Sequence, residues 1–231
     1  MKVTNDARLA RVMDAFGIDS STLLGQGGES WVIALDDERI ARVNRAGTNQ
    51  VQVDRRTALL SELARSAGNV PFAIPEILDT VVIEKYIVTI ECRLQGRPMT
   101  QVLAELTGEA RASLVRAYLE AATQIGDLVV NRPWYGDLLQ ANAIHTSSFR
   151  VYLEKRASRS LKAAGREFEA VDPAQLAAAL PEPRKAALVH LDAFPGNMLA
   201  EGERITAVLD FGASSIMGDR RLDPLTAAAR T

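Results

Sequence analysis

One short region, residues 186–212, constrains the fold of this sequence more than any other. A short apolar run ends at His190, and Asp192 and Asn197 follow on either side of a Pro-Gly turn. Two further apolar runs around the polar turn AEGE predict a small β-hairpin, and Asp210 stands at the end of its second strand. The hairpin is therefore expected to bring three oxygen-bearing side chains around one loop.

Oxygen donors in this spacing are typical of a site that holds metal and phosphate. Carboxylate and amide oxygens are ligands that Mg²⁺ prefers, and phosphoryl transfer also needs a carboxylate that orients the attacking hydroxyl. Each residue alone has another interpretation: Asp192 and Asn197 are common turn formers, and Asp210 could be a cap. The full spacing, with Phe211 and Gly212 after the last aspartate, favours the metal and phosphate site.

A glycine-rich segment near the amino terminus is a second candidate site. Gly25, Gly27 and Gly28 lie between a predicted strand and the first arm of a predicted hairpin. Glycine tolerates positive φ and lets the backbone approach a ligand, and successive backbone amides can bind phosphate oxygens. A flexible turn is the alternative interpretation. The segment is not a Walker loop, because G-x-x-x-x-G-K-[ST] occurs nowhere in the chain.

Hydrophobic periodicity divides the chain into two predicted lobes. Residues 1–95 predict a five-stranded antiparallel sheet with one inserted helix over residues 50–67. The segment QGRPM is the predicted boundary, and residues 96–231 are predicted to be mostly helical. Basic residues recur at helical spacing between Lys155 and Arg166, and we interpret them as a solvated helix face. The predicted fold class is α+β.

Composition argues against several classes of protein. The chain has 231 residues, a formal net charge of −2 and a pI near 5.8, unlike a typical nucleic-acid binder. Its single cysteine, Cys92, cannot form an internal disulfide. No apolar run approaches the roughly 18 residues of a membrane span, and the amino terminus lacks an apolar export segment. We therefore expect a cytoplasmic protein with no nucleic-acid or membrane partner.

The motifs together resemble those of a known family. Residues 190–197 match H-x-D-x-x-x-x-N and residues 210–212 are D-F-G, the pattern of the protein-kinase-like superfamily. No arginine follows the histidine and GDRRLDP closes the region, so the chain resembles the aminoglycoside phosphotransferase family of small-molecule kinases. The resemblance extends from about Gly25 to Pro224 and implies a bilobal protein-kinase-like fold.

The resemblance implies a role for each candidate residue. Asp192 would be the catalytic base, and His190 would support the loop from within. Asn197 and Asp210 would be the magnesium ligands, with ATP and Mg²⁺ as cofactors. The implied nucleotide-binding residues comprise the glycine-rich segment, a cation on the hairpin and a hinge whose backbone pairs with adenine: Gly25, Gly27, Gly28, Ser30, Arg42, Glu91, Cys92, Arg93 and Leu94.

Three positions depart from the family's pattern. Arg42 in RIARV stands where such enzymes usually place a phosphate-binding lysine. Arginine keeps the charge and offers a planar fork for phosphate, although an exposed strand arginine is the competing interpretation. Arg56 occupies the place of the helix glutamate that usually pairs with this cation, which leaves Asp54 or Glu62 as the predicted partner. Ser30 replaces the third glycine of the loop.

The carboxyl-terminal region is short compared with this family. Only nineteen residues follow Gly212, whereas family members usually continue with several helices that complete the acceptor pocket. We therefore expect a shortened C-terminal lobe, from a truncated chain, a shortened reading frame or a protein that a partner completes. Such a lobe would expose apolar surface, which predicts self-association or low stability.

The resemblance favours an ATP-dependent small-molecule kinase, a phosphotransferase with an alcohol group as acceptor. An aminoglycoside antibiotic is cationic and would need an acidic cleft. The acids that could supply one in the helical region are Glu154, Glu167, Glu169 and Asp172. A macrolide, sugar, choline or homoserine acceptor stays open.

Two other functions compete with this one. A nucleotide-binding pseudokinase that acts as a scaffold is favoured by Arg42, by the missing helix glutamate and by the short tail. The presence of Asp192, Asn197 and Asp210 together argues against it. A protein kinase is disfavoured, because neither an activation segment nor an A-P-E element follows Asp210.

Overall fold

A computed structural model describes residues 7–19, 22–26, 30–44, 47–165, 168 and 170–230 of the chain. The elements of the amino-terminal lobe are α1 (Ala7–Phe16), β1 (Leu23–Gln26), β2 (Ser30–Ala34), β3 (Arg39–Asn44), α2 (Gln50–Ala64), β4 (Ile77–Ile83) and β5 (Tyr86–Cys92). The strands form one antiparallel sheet in the order β1-β2-β3-β5-β4, with α2 inserted between β3 and β4. The predicted five-stranded sheet and inserted helix are therefore present.

Side-chain alternation along β3 gives the sheet two different faces. Ala41 and Val43 are buried in an apolar cluster against α1, together with Ile33 and Val88. Arg42 lies between them in the strand and points to the opposite face, on the side of α2. The period of this strand thus directs a cation away from the small apolar core.

Helix α2 begins at a capping box. The Asn49 side chain accepts a hydrogen bond from the Gln52 amide, and the Gln52 side chain accepts one from the Asn49 amide, both at 3.0 Å. Leu59, Leu60 and Leu63 are buried in a core cluster that continues into the second lobe. The helix is consequently packed on the second lobe while its other side faces the sheet.

The second lobe combines helices with two small sheets. Its elements are β6 (Arg97–Pro98), α3 (Met99–Glu105), α4 (Gly108–Gln124), β7 (Tyr135–Asp137), β8 (His145–Thr146), α5 (Phe149–Ala164), α6 (Pro173–Ala178), β9 (Ala187–Val189), β10 (Met198–Glu201), β11 (Arg204–Val208), β12 (Ile216–Gly218) and α7 (Leu222–Ala228). One sheet has the order β11-β10-β6 and the other β8-β7-β12-β9. The β10–β11 hairpin is the predicted one. The sequence pattern does not predict β6, β7, β8 or β12, because strands of two or three residues are too short to show a period.

A tight crossing connects the two lobes. The Ala73 amide donates to the Thr206 carbonyl at 2.8 Å, and the Val208 amide donates to the Ala73 carbonyl at 3.0 Å. Gly96, just before β6, has a φ of +110°, and a Cβ at this position would collide with the Thr206 hydroxyl. Both the conformation and the space at this point require glycine.

Three predictions concern the whole chain. Within the described ranges, none of the helices combines the length and the apolar character needed to cross a bilayer. The Leu225 side chain on α7 is 64% exposed, but self-association through this region stays a prediction. The predicted division into residues 1–95 and 96–231 also stays a prediction.

We expect Gly96→Ala to lower the free energy of unfolding by about 2–4 kcal/mol, because alanine is strained at this φ and its methyl meets Thr206. Urea unfolding measures the change. Gly68→Ala is the matched control, since Gly68 lies outside the positive-φ region and nothing is within 4 Å of its added Cβ. Equal destabilisation by the two substitutions would contradict the crowding at Gly96.

Candidate active site

The loop between β9 and β10, here called the 190–197 loop, carries two of the candidate residues. The chain passes through His190 and Asp192, and a short 3-10 turn, Pro195–Asn197, returns it to β10. Nδ2 of Asn197 donates to Oδ2 and to the main-chain carbonyl of Asp192, both at 2.9 Å. Because both bonds use the amide nitrogen, the amide oxygen of Asn197 is the atom suited to a cation.

His190 supports this loop from the interior. Its side chain is fully buried, and Nδ1 accepts a hydrogen bond from the Asp192 amide at 3.2 Å. Nε2 therefore carries the proton and donates to the Leu209 carbonyl at 2.8 Å. The ring also lies edge-on to Phe211, with centroids 4.6 Å apart. His190 thus connects the 190–197 loop to the segment that carries Asp210.

Asp210 lies beside Asn197 because the two segments are hydrogen-bonded. The Leu209 amide donates to the Asn197 carbonyl at 2.8 Å, and the buried Phe211 ring anchors the next residue. Asp210 has a φ of 63°, which is uncommon for a non-glycine residue, and its side chain is 40% exposed. The structure therefore gathers Asp192, Asn197 and Asp210 around one loop.

The donor set fits a hard divalent cation. The Asp210 carboxylate and the Asn197 amide oxygen are ligand types that Mg²⁺ takes together with water and phosphate oxygens. Among the residues that the structure describes, no three His, Cys, Asp or Glu side chains form a metal site by themselves. A cation here would therefore take most of its ligands from water and from a phosphate-bearing molecule.

Arg42 faces Asp210 from the sheet. Its NH1 lies 3.6 Å from Asp210 Oδ1 and donates to Ser30 Oγ at 3.2 Å, while its Nε donates to Glu91 Oε1 at 3.1 Å. The Arg42 side chain is only 14% exposed, so the interpretation as an exposed strand arginine is wrong. The cation lies between the end of the glycine-rich segment and the candidate metal ligand.

The acid that pairs with Arg42 is Glu91, and the predicted partners Asp54 and Glu62 are both wrong. Asp54 accepts a hydrogen bond from the first residue of α2, and Glu62 binds Arg132 of the second lobe at 2.8 Å. Residues of an α-helix are about 100° apart around its axis, so positions 54 and 62 lie on other faces of α2 than position 56. Position 56 is the one that faces the sheet.

Strand register explains why Glu91 takes this role. Arg42 lies opposite Thr89 in the β3–β5 ladder, and Glu91 is two residues further along the same face of β5. Arg42 and Glu91 are therefore diagonal neighbours, within reach of long side chains. Glu91 is the only charged residue in the strand YIVTIEC, a signal that could have identified it from the sequence.

Glu91 also binds a second cation, Arg56 of α2. NH1 and NH2 of Arg56 donate to Oε1 and Oε2 of Glu91 at 2.7 and 3.4 Å, and the Thr89 hydroxyl donates to Oε1 at 2.8 Å. The Glu91 side chain is 1% exposed. Burial alone would raise the pKa of Glu91, but the guanidiniums of Arg42 and Arg56 and the hydroxyl outweigh it and lower that pKa. The buried acid is thereby held ionised.

Asp223 anchors the 190–197 loop from α7, a role that sequence reasoning missed although the motif GDRRLDP contains it. Its carboxylate is 1% exposed and accepts hydrogen bonds from the His190 and Leu191 amides at 2.7 and 2.8 Å. Leu191 has a φ of 60°, so these bonds hold a strained backbone in place. Burial raises the pKa of Asp223.

Two further contacts hold the middle of the loop. The Tyr118 hydroxyl of α4 donates to the Ala193 carbonyl at 2.9 Å, and burial raises the pKa of Tyr118 to about 12. The Arg230 guanidinium lies over the Phe194 ring, 4.1 Å from its centroid. The loop is thus fixed from α4 on one side and from the end of the described chain on the other.

Comparison with known protein families identifies the family of this chain. Residues 22–228 match the phosphotransferase enzyme family. The chain belongs to this family. The resemblance carried by residues 190–197 and 210–212 is confirmed, and so is the enzyme class, a phosphotransferase with an alcohol group as acceptor. No curated protein sequence matches the chain.

Solved structures of aminoglycoside phosphotransferases share the fold of this phosphotransferase. The GDP and kanamycin complex of APH(2")-IIia is 16% identical with a TM-score of 0.60, and the match covers 96% of this chain and 77% of that one. The ADP-bound APH(2'')-Ib is 16% identical with a TM-score of 0.62, and the match covers 94% of this chain and 74% of that one. The streptomycin-ATP-APH(2")-IIa ternary complex is 16% identical with a TM-score of 0.60, and the match covers 96% of this chain and 75% of that one. The predicted bilobal protein-kinase-like fold is confirmed.

In this phosphotransferase the predicted hinge lies at the end of β5. The Cys92 amide donates to the Glu76 carbonyl at 3.0 Å, and the Arg93 amide donates to the Glu38 carbonyl at 2.7 Å. The amide of Leu94 makes no hydrogen bond with any other residue that the structure describes. Of these three amides, that of Leu94 is the one suited to a ligand.

The glycine-rich segment is described only at its ends. Gly25 lies in β1 next to an irregularity in the register with β2, and Ser30 begins β2. Gly27 and Gly28 lie outside the described residues. Ser30 is buried, and its hydroxyl accepts the hydrogen bond from Arg42, so the segment ends beside this cation.

The acids predicted to line an acceptor cleft are only partly described. Asp172 caps α6 by accepting a hydrogen bond from the Ala174 amide at 2.9 Å, and Glu154 is exposed on α5. Glu167 and Glu169 lie outside the described residues. An acidic cleft therefore stays a prediction.

Part of the basic run on α5 is not a solvated face, which corrects the prediction. Asp137 is fully buried at the end of β7 and accepts hydrogen bonds from Arg156 at 2.7 Å and from the Tyr152 hydroxyl at 2.9 Å. Arg159 lies 3.7 Å from its other carboxylate oxygen. In the strand ladder Asp137 lies opposite Ile216, and Ile216 lies opposite the last residue of β9. The ion cluster therefore lies at the end of the sheet from which the 190–197 loop leaves.

We expect Asp223→Ala to lower the free energy of unfolding by about 2–5 kcal/mol, because two buried amides lose their acceptor. Hydrogen exchange of residues 187–194 should accelerate at the same time, which mass spectrometry measures. Glu201→Ala, at an exposed acid of the β10–β11 turn, is the control and should change neither quantity. Unaltered exchange in Asp223→Ala would show that this carboxylate does not hold the loop.

Proposed function

We propose that this phosphotransferase is an ATP-dependent small-molecule kinase that uses Mg²⁺. The observation that carries the proposal is the grouping of Asp192, Asn197 and Asp210 around one loop, with Arg42 NH1 3.6 Å from Asp210. Phosphoryl transfer needs a base, metal ligands and a phosphate-binding cation within one cleft. Membership of the phosphotransferase enzyme family supports the same conclusion.

Asp192 is the proposed base. Its carboxylate accepts the proton of the acceptor hydroxyl while the hydroxyl oxygen forms a bond to the γ-phosphorus. The bond from that phosphorus to the bridging oxygen breaks, and ADP leaves with the bonding electrons. The hydrogen bond from Asn197 to Asp192 Oδ2 at 2.9 Å orients the carboxylate and leaves Oδ1 for the hydroxyl.

Asn197 and Asp210 are the proposed magnesium ligands. When bound, the cation neutralises negative charge on the phosphate oxygens. Asp210 suits this role because its side chain is 40% exposed while the buried ring of Phe211 fixes the backbone beside it. Asn197 contributes its amide oxygen while its nitrogen holds Asp192.

The nucleotide is proposed to lie between the hinge and Arg42. Arg42 would bind phosphate oxygens, with Gly25 and Ser30 at the ends of the phosphate-binding segment, and the backbone amide of Leu94 would pair with adenine. The similar structures contain GDP, ADP and ATP, which supports a nucleotide as a ligand of this phosphotransferase. ATP is the proposed phosphate donor.

The proposed acceptor is an aminoglycoside-like antibiotic or a related metabolite. Two of the similar structures contain kanamycin and streptomycin, which supports this class of acceptor. A macrolide, sugar, choline or homoserine is the alternative. We also propose a cytoplasmic location, in keeping with the single cysteine, and self-association through the exposed Leu225 of α7.

A nucleotide-binding pseudokinase is the second candidate, because Arg42 replaces the usual lysine and Arg56 replaces the usual helix glutamate. The pairing that such a substitution would abolish is nevertheless present, since Glu91 binds Arg42 at 3.1 Å. The intact group of Asp192, Asn197 and Asp210 also favours an enzyme over a pseudokinase.

We expect Asp192→Asn to reduce acceptor-dependent ADP release by about 10²–10⁴-fold, because the base is lost while the hydrogen bonds of the loop can persist. The measurement is a coupled ADP assay over a panel of hydroxylated antibiotics and metabolites, with calorimetry of Mg·ATP binding alongside. Binding should be nearly unchanged.

Glu105→Gln, which removes an exposed acid on α3, serves as the control and should retain full turnover. A parent protein that binds Mg·ATP but turns over no acceptor in the panel would favour the pseudokinase. Full activity of Asp192→Asn would exclude Asp192 as the base.

A further inference from the structure

The ion pairs behind Arg42 are arranged differently from those that the family resemblance implied. In the family's usual pattern the helix supplies the acid, whereas in this chain α2 supplies Arg56 and strand β5 supplies Glu91. The N–O distances are 3.1 Å from Arg42 to Glu91 and 2.7 Å from Arg56 to Glu91. The three side chains are 14%, 15% and 1% exposed for Arg42, Arg56 and Glu91. Burying these charges carries a desolvation cost, so the cluster is weak evidence for a gain in stability. A role in positioning Arg42 explains it better.

The guanidinium of Arg42 has two separate contacts. Nε donates to Glu91, whereas NH1 donates to Ser30 Oγ and lies 3.6 Å from Asp210. Because a guanidinium is planar and rigid, a bond that fixes Nε also sets the direction of the terminal nitrogens. A lysine has a single nitrogen and could not make both contacts in this way. Glu91 therefore directs NH1 toward the end of the glycine-rich segment.

Arg56 limits the hydrogen bonds that the Glu91 carboxylate can accept from Arg42. Its NH1 and NH2 engage both carboxylate oxygens, at 2.7 and 3.4 Å, so that Arg42 is left with one contact, to Oε1. A carboxylate and a guanidinium without competitors favour a bidentate pair. If Arg56 were absent, such a pair would draw a terminal nitrogen of Arg42 toward Glu91 and away from the cleft.

Asp210 supplies the fourth charge of this cluster. Arg42 and Arg56 share the carboxylate of Glu91, and Asp210 Oδ1 lies 3.6 Å from Arg42 NH1. If Asp210 binds a cation, as proposed, its carboxylate no longer balances the charge of Arg42, which then becomes available to the phosphates of the nucleotide. The low exposure of Arg42 reduces screening by salt, so this charge acts strongly on a nearby anion.

We propose that Glu91 and Arg56 are positioning residues that set the guanidinium of Arg42 for the phosphates of the nucleotide. This inference rests on the proposed function. Since α2 packs on the second lobe through Leu60 and Leu63, the contact of Arg56 with Glu91 also makes the position of Arg42 depend on the position of α2.

Calorimetry on the full chain with two ligands tests this inference. One ligand is adenosine, and the other is AMP-PNP, a non-hydrolysable ATP analogue, with Mg²⁺. We expect Glu91→Gln to weaken AMP-PNP binding by about ten- to hundredfold and to leave adenosine binding unchanged, because only the phosphates meet Arg42. Arg56→Gln is milder and should weaken AMP-PNP binding by about three- to tenfold. A merely structural role would weaken both ligands together.

A relocated acid provides the rescue. The double variant Arg56→Glu with Glu91→Gln moves the acid from the strand to the helix, and it should recover most of the AMP-PNP affinity that Glu91→Gln loses. Glu62→Gln is the matched control, since it removes another ion pair of α2, the one with Arg132. It should lower the unfolding temperature without changing the ratio of AMP-PNP to adenosine affinity.

The outcomes separate the inference from the proposed function. If the parent protein binds AMP-PNP and Glu91→Gln keeps the parent's affinity ratio, the inference is overturned and the proposed function stands. If Glu91→Gln does not fold, as judged by circular dichroism, the ratio measured with Arg56→Gln decides in its place. A parent protein that binds neither ligand overturns the proposed function and the inference with it.

Discussion

The buried carboxylate of Asp223 makes the contacts on which the rest of the site depends. It accepts hydrogen bonds from the amides of His190 and Leu191 and so stabilises the positive φ of Leu191, a strained backbone conformation. The same turn points the His190 ring at the Leu209 carbonyl, and Asp210 follows at once. Because the loss of either hydrogen bond would leave a buried amide without a partner, the loop has little freedom to rearrange. Asp192 and Asn197 are thereby held in place before any ligand arrives.

The second constraint joins the two lobes through charge. Arg42 on the sheet faces Asp210, which belongs to the second lobe, and Glu91 behind it is shared with Arg56 of α2. Helix α2 in turn is buried against the second lobe, where Glu62 pairs with Arg132. A shift of α2 would therefore act on the sheet and on the cleft together. Both lobes contribute to the candidate site, and α2 connects them mechanically.

Much of the fold and part of the site could be predicted from local patterns. The β10–β11 hairpin and the Pro-Gly turn bring Asp192, Asn197 and Asp210 together because few residues separate them. The partner of Arg42 could not be predicted in the same way, since it depends on the β3–β5 register, and the choice of Asp54 or Glu62 was wrong. The buried Asp137 and the anchoring role of Asp223 could not be predicted either, because burial is a property of the assembled chain. The short strands could not be predicted because two or three residues show no period.

Features that act over short distances follow from the local sequence: the period of the strands, the cap of α2, and the spacing of the loop residues that belongs to the phosphotransferase enzyme family. Which charges pair with each other depends on the tertiary structure. Arg42 and Arg56 are 49 and 35 residues away from Glu91 along the chain. Strand register and the rotation of a helix determine such pairs, and both are settled by packing against the rest of the protein.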